Sequence, residues 1–222
     1  MKTDDNGLIE MEHCGFPGNI GDSCAETCRY ISLVAFVFDS FEQQAFSKAI
    51  EMFLSPVGVL RHPKSPWRED DTSSDQVLPL VVAADFCGFD LPGFVFKTKT
   101  GNGDYVSPML FAVQNRSKRK QSWFFDLSIL AQCYVFKIPF RWNDEKKSFE
   151  GSKGSSCDYL NLIISLIHSV KTRTETWPVK KAIKSLDKDV VFQKVKDYYI
   201  NEPNAFVVSW YEKAITKLWS KL

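Results

Sequence analysis

Apolar residues recur every three or four positions along most of this chain, and that spacing constrains it to fold as packed helices. The pattern is clearest at residues 22–38, where the apolar face consists of Ile31, Val34, Ala35 and Phe38. Asp22 opens this stretch and has the chemistry of a helix N-cap. A second periodic stretch at residues 40–54 follows after a short link, which predicts an antiparallel helical hairpin.

The remaining helices follow from the same spacing together with cap and stop residues. They are predicted near residues 72–86, 108–114, 122–135, 158–170, 177–186, 188–200 and 206–219. In the first of these, Pro79 predicts a nearby start or a kink, and Gly88 predicts the end. From these nine stretches we predict an all-α fold of about seven to eight helices, as an antiparallel array or partial (α/α) toroid with long irregular loops.

A single domain is predicted over residues 1–222, with an N-terminal loop segment at 1–21 and a mobile loop at 143–156. The net charge is +1, which gives no overall basic field and argues against nucleic-acid binding. No apolar stretch reaches the length of a membrane span, and the acidic N-terminus lacks the apolar core of a signal peptide. These features predict a cytoplasmic chain with no membrane association.

The cysteines are predicted to be free thiols, because a cytoplasmic chain keeps them reduced. There are six, at Cys14, Cys24, Cys28, Cys87, Cys133 and Cys157. The spacing of His13 from these residues differs from a zinc-finger spacing, and the chain has no phosphate loop, dinucleotide fingerprint or nucleophile elbow. The sequence therefore predicts neither a metal nor a cofactor.

Three groups of polar residues stand out, and the first begins the first predicted helix. Asp22, Glu26 and Arg29 follow one another at spacings of four and three, which places them on one helix face. They suit a binding or catalytic site. They equally suit a structural role, as an acidic N-terminus followed by an intrahelical ion pair.

The second group lies between residues 61 and 76. Its members are Arg61, His62, Trp67, Arg68, Asp71, Asp75 and Gln76. Asp71 and Asp75 are four residues apart, and neighbouring carboxylates push their pKa values apart, as an acid and a base require. The alternative is a well-capped helix that follows a Pro-rich loop.

The third group is Asp158 and Asn161, with Ser165 on the same stripe of an otherwise apolar helix. Polar groups on a buried helix need hydrogen-bond partners. The stripe therefore lines an internal site or satisfies a neighbouring loop.

Several short segments together carry a resemblance to known sequences. They are Gly21-Asp22-Ser23 with Glu26-Thr27 and Arg29, Arg61-His62-Pro63 with Trp67, Ser74-Asp75-Gln76 with Pro79-Leu80, and Asp158-Tyr159-Leu160-Asn161-Leu162-Ile163. In these the chain resembles a group of uncharacterised bacteriophage and prophage proteins, which implies a phage origin but no particular activity. More distantly, acids at helix ends resemble those of the (α/α) toroid glycoside hydrolases and lyases.

The favoured hypothesis is a phage-encoded intracellular binding or inhibitor protein that acts on a host protein or small polar ligand through a polar pocket. It ranks first because the chain has no complete catalytic motif. Its ligand-binding residues would be Glu26, Arg29, Arg61, His62, Trp67, Arg68, Gln76, Asp158 and Asn161.

An alternative is an (α/α)-type hydrolase of a sugar-like substrate, with Asp22, Asp71 and Asp75 as acid and base. Arginines would hold the substrate, and Trp67 would stack on a sugar ring. A third hypothesis is a virion or assembly component. The sequence leaves the oligomeric state open.

Overall fold

The computed structural model describes residues 3–9, 22–38, 43–56, 58–64, 74–92, 141–143, 148–150, 156–171, 186–200 and 206–221. The chain divides into two compact units, Met1–Lys118 and Arg119–Leu222, which are described one at a time. Helices predominate in the described residues, which confirms the predicted helical class. The helices predicted at 108–114 and 122–135 lie outside the described residues, as does the helix predicted at 177–186 except for its last residue, and the single domain stays a prediction.

In the first unit, three helices are described: α1 (Ser23–Val37), α2 (Gln43–Glu51) and α3 (Ser74–Cys87). α1 packs mainly against α3, and α2 also contacts α3 more than α1. The first two helices were predicted to pack as a hairpin, but the contact between them is smaller than the contact of α1 with α3. Thirteen of the 15 residues of α1 are buried, so its polar side chains must find partners inside the protein.

α3 continues through Pro79, beginning five residues before it. Gly88 ends the helix as predicted, with a φ of +64°. The backbone N–H of Phe89 donates to the carbonyl of Ala84 at 2.8 Å, and that of Gly88 donates to Asp85 at 3.1 Å. A glycine in the left-handed region allows this closing turn without a Cβ clash.

The N-terminal segment 3–9 forms a tight turn. The carbonyl of Asp4 accepts from the N–H of Gly7, and the N–H of Asp4 donates to Leu8, both at 2.9 Å. Gly7 has a φ of +77°, which suits a turn that closes a short bridge between Thr3 and Ile9. Leu8 and Ile9 are buried, although the sequence predicted only a loop over residues 1–21.

A second tight turn, at residues 53–60, leads from α2 to Arg61. The N–H of Leu60 donates to the carbonyl of Phe53 at 2.8 Å, and Ser55 donates to Gly58 at 3.0 Å. Phe53 and Val59 are buried and anchor the two sides of this turn. These contacts fix the position of the backbone directly before residues 61–64.

The second unit contains three described helices: α4 (Ser156–Lys171), α5 (Lys188–Tyr199) and α6 (Phe206–Ser220). They match the helices predicted at 158–170, 188–200 and 206–219. α4 packs against both others, and α5 packs against α6. The Asp187 carboxylate caps α5 by accepting from the N–H groups of Asp189 and Val190 at 2.8 and 3.3 Å.

Two short antiparallel strands precede α4: β1 (Arg141–Asn143) and β2 (Ser148–Glu150), with Trp142 opposite Phe149. β2 lies inside residues 143–156, where the sequence predicted a loop throughout. Among the described residues of both units, no helix is long and apolar enough to cross a membrane.

Candidate functional site

The N-terminus of α1 is capped from elsewhere in the first unit. Asp22 occupies the N-cap position as predicted, but its carboxylate does not cap the helix, so that part of the prediction was wrong. The N–H of Cys24 instead donates to the backbone carbonyl of Arg61 at 2.8 Å. The N–H of Ala25 donates to the side-chain oxygen of Gln76 at 3.0 Å. Two of the donors that a helix start leaves open are thus satisfied by a loop and by α3.

The Asp22 carboxylate is directed instead to two other side chains. Gln76 Nε2 donates to Asp22 Oδ1 at 2.8 Å, and Arg61 Nη1 lies 3.4 Å from the same oxygen. Because Gln76 Oε1 accepts from a backbone N–H, the orientation of its amide follows from its hydrogen bonds. We call Asp22, Arg61 and Gln76 the Asp22 cluster.

Exposure differs among the members of the Asp22 cluster. Gln76 is 1% exposed, whereas the Asp22 and Arg61 side chains retain 14% and 8% of their accessible surface. Gln76 therefore supports the cluster from inside, and the two charged side chains each keep a small accessible area. The cluster combines residues that the sequence placed in its first and second polar groups.

Glu26 and Arg29 form an ion pair one turn further along α1. Arg29 Nη1 lies 2.5 Å from Glu26 Oε1, and the two side chains are 1% and 0% exposed. The spacing-based prediction that they share a helix face is confirmed. Their burial favours the structural alternative for this pair, because neither side chain reaches the surface.

His62 contacts the N-terminal turn. Its Nδ1 accepts from the N–H of Lys64 at 2.9 Å, so the proton of the neutral ring lies on Nε2. Nε2 is 3.4 Å from Asp4 Oδ2, and both side chains are buried. The sequence predicted His62 as a ligand-binding residue, and the structure places it beside Asp4.

Asp4 was missed by the sequence analysis. Its Oδ1 accepts from the N–H groups of Asn6 and Leu8, both at 2.9 Å. Burial alone would raise the pKa of Asp4, but these hydrogen bonds and the electrostatic influence of the neighbouring His62 outweigh it and hold the pKa below its ordinary value. An Asp three residues before a Gly is a signal for a turn, and this signal was available in the sequence.

Three cysteines lie in the interior of the first unit. Cys24, Cys28 and Cys87 are buried and free of disulfides, which confirms the predicted thiols at these positions. Burial raises the pKa of Cys87 to about 11, and burial with the neighbouring Cys24 raises the pKa of Cys28 well above its ordinary value. Thiols of this kind are poor nucleophiles and pack as small apolar groups.

The third polar group lies in the second unit, on α4. Asn161, Ser165 and Ser169 are buried there. The hydroxyl of Ser165 donates to the carbonyl of Asn161 at 2.9 Å, and that of Ser169 donates to Ser165 at 3.0 Å. The hydroxyl groups of both serines donate to carbonyls within α4, so this part of the polar stripe does not require a ligand as a hydrogen-bond partner.

Several predicted site residues fall outside this description. Trp67, Arg68 and Asp71 lie outside the described residues. Asp75 and Asp158 belong to α3 and α4, but their side chains are not among those described. Within the described side chains, no group of three His, Cys, Asp or Glu is arranged to hold a metal ion.

Comparison of the chain with protein-family models, curated proteins and solved structures found no match. Among the described residues, the candidate functional site is the Asp22 cluster. It presents a carboxylate that accepts hydrogen bonds beside a guanidinium that donates them.

Proposed function

We propose that the protein is a phage-encoded intracellular binding or inhibitor protein that recognises a host protein or small polar ligand through the Asp22 cluster. One observation carries the proposal. Asp22 and Arg61 carry opposite charges, lie 3.4 Å apart and keep part of their side chains accessible to solvent. A ligand with a donor and an acceptor can address both groups at once.

The length of the Asp22–Arg61 contact supports an exchange of partners. Charge-assisted hydrogen bonds are strongest at about 2.7–2.9 Å, and this contact is longer. A ligand that donates to Asp22 and accepts from Arg61 would replace one weak contact with two stronger ones. A zwitterionic small molecule or the polar backbone of a peptide has the required groups.

The framework around the two charged groups is already ordered. The backbone of Arg61 is fixed by the N–H of Cys24, and Gln76 is fixed at both ends of its amide. A ligand therefore does not have to order these elements when it binds. Such preorganisation lowers the entropic cost of association.

The alternative proposal is an acid–base hydrolase. The Asp22 carboxylate accepts a hydrogen bond from Gln76, and Asp75 directly precedes Gln76 in the chain. A glycosidase needs two carboxylates at a fixed separation. In this alternative Asp22, Asp71 and Asp75 supply the acid and the base, and turnover of a sugar substrate distinguishes it from simple binding.

For the whole fold we propose an antiparallel array or partial (α/α) toroid of about seven to eight helices. Support comes from the six helices of the described residues, which follow the predicted helices in order.

The binding proposal is tested by NMR titration of isotope-labelled protein with free arginine, glutamate, glucuronate and inorganic phosphate. We expect saturable shifts of the Cys24, Ala25 and Arg61 amides with at least one zwitterion or anion, and their loss in Asp22→Asn. Asp90→Asn is the matched control, because Asp90 is an exposed carboxylate of the same unit. Shifts that persist in Asp22→Asn would remove the Asp22 cluster from the binding site.

A further inference from the structure

The N-terminal turn, residues 3–9, is attached to the helix that carries the Asp22 cluster. The N–H of Ile9 donates to Thr27 Oγ1 on α1 at 3.0 Å. Leu8 and Ile9 are buried, whereas Asp5, Asn6 and Gly7 at the tip of the turn are exposed. We call residues 3–9 the N-terminal strap.

The strap is also attached to the loop that supplies Arg61. Asp4 Oδ2 lies 3.4 Å from His62 Nε2, and His62 directly follows Arg61 in the chain. The backbone carbonyl of Arg61 in turn accepts a hydrogen bond from the N–H of Cys24, and the Arg61 guanidinium approaches Asp22. The strap, residues 61–64 and the start of α1 thus form a closed ring in which each segment contacts the other two.

We propose that the N-terminal strap, latched by Asp4 on His62, holds the Asp22 cluster in the ordered arrangement that receives its ligand. The inference rests on the proposed function and identifies how that site is regulated. Release of the latch frees residues 61–64 to move. Their movement withdraws the Arg61 carbonyl from Cys24 and the guanidinium from Asp22, and these are the contacts that keep the cluster ordered.

The strap is suited to open by itself, without unfolding of the first unit. Segments that bury few apolar side chains open locally at a lower free energy than the core. Within residues 3–9 only Leu8 and Ile9 are buried apolar residues, whereas α1 is buried along almost its whole length. Two side-chain contacts link the strap to residues 61–64: the buried contact of Asp4 with His62, and the longer, exposed contact of Asp5 with Lys64 at 3.9 Å.

Two substitutions of His62 distinguish between the contacts of its two ring nitrogens. Asn places an amide oxygen near the position of Nδ1, so His62→Asn keeps an acceptor for the N–H of Lys64 and removes the group that faces Asp4. Gln reaches further and places an amide nitrogen near the position of Nε2. His62→Gln therefore keeps a donor toward Asp4.

The test is amide hydrogen exchange in the full chain, read by NMR without any ligand. In His62→Asn we expect the Cys24 and Ala25 amides to exchange at least about fivefold faster, the factor that corresponds to one ordinary hydrogen bond. The strap amides of Leu8 and Ile9 should accelerate with them. The amide of Leu33, in the middle of α1, should keep its rate, and His62→Gln should lie close to the wild type.

Three results would overturn the latch. The strap amides accelerate while Cys24 and Ala25 do not, which would show that the strap opens independently of the cluster. All amides including Leu33 accelerate equally, which would show a general loss of stability. His62→Asn and His62→Gln behave alike, which would show that ring packing, and not the Asp4 contact, holds the strap. None of these results bears on ligand binding, so the proposed function stands or falls separately.

Discussion

The side-chain oxygen of Gln76 lies 3.0 Å from the backbone nitrogen of Ala25 and caps α1 from a different helix. The other end of the same amide donates to Asp22 at 2.8 Å. One buried side chain therefore joins α3 to the first turn of α1 and also fixes the direction of the Asp22 carboxylate. The stability of the first unit and the shape of the Asp22 cluster depend on the same residue.

Replacing Gln76 with Leu should destabilise the protein. The substitution keeps similar bulk but leaves the Ala25 N–H without its acceptor, which costs about 1–3 kcal/mol in the free energy of unfolding. Urea denaturation measures this cost. Gln44→Leu is the control, because Gln44 is exposed on α2, and it should change stability by less than about 0.5 kcal/mol.

The buried Glu26–Arg29 pair should show strong coupling in a double-mutant cycle. Glu26→Gln leaves the Arg29 charge buried without its carboxylate and should cost about 3–5 kcal/mol. The double variant Glu26→Gln, Arg29→Met should be more stable than the sum of the two single changes predicts. Additive losses in urea denaturation would show that the two side chains act independently.

Asp4 should make stability depend on acid pH. Its folded-state pKa lies below the ordinary value of 3.8, so its contribution is fully present above the unfolded-state pKa and is lost as the pH falls through the folded-state pKa. The stability difference between wild type and Asp4→Asn should therefore be largest above about pH 5 and shrink toward pH 3. Urea denaturation across this range measures it.

The control for Asp4 is Asp5→Asn. The Asp5 side chain is 99% exposed, and its contact to Lys64 is 3.9 Å long, so its replacement should leave stability nearly unchanged at every pH. A pH-independent difference for Asp4→Asn would mean that the turn needs the shape of the side chain and not its charge.

The interior thiols should resist alkylation in the folded protein. With a pKa of about 11, Cys87 is almost entirely protonated at neutral pH, and burial excludes the reagent as well. Iodoacetamide followed by peptide mass spectrometry should label Cys24, Cys28 and Cys87 only in denaturant. Rapid labelling of any of the three under native conditions would contradict the buried placement.

Local signals in the sequence predicted much of the helical structure. The apolar spacing located α1, α4, α5 and α6 within a few residues, and Gly88 located the end of α3. The Glu26–Arg29 pair followed from a spacing of three, since a helix brings such residues together whatever its surroundings. These features depend on residues within one or two turns of each other.

The parts of the site that the sequence did not reveal depend on distant residues. Gln76 caps α1 from 51 positions along the chain from Ala25, and no local pattern encodes that contact. Asp22 has the chemistry of an N-cap, but Gln76 and Arg61 attract its carboxylate away from the helix. The latch between Asp4 and His62 likewise requires two turns to meet.

The central claim is that Asp22 and Arg61 bind a ligand, and the most direct test is the affinity of the small molecule that produces the largest amide shifts. Isothermal titration calorimetry should be performed on wild type, Asp22→Asn and Asp90→Asn, at a temperature at which all three proteins are folded. We expect at least about tenfold weaker binding for Asp22→Asn, because a charge-assisted contact is lost, and unchanged binding for Asp90→Asn. Equal affinity of wild type and Asp22→Asn would contradict it.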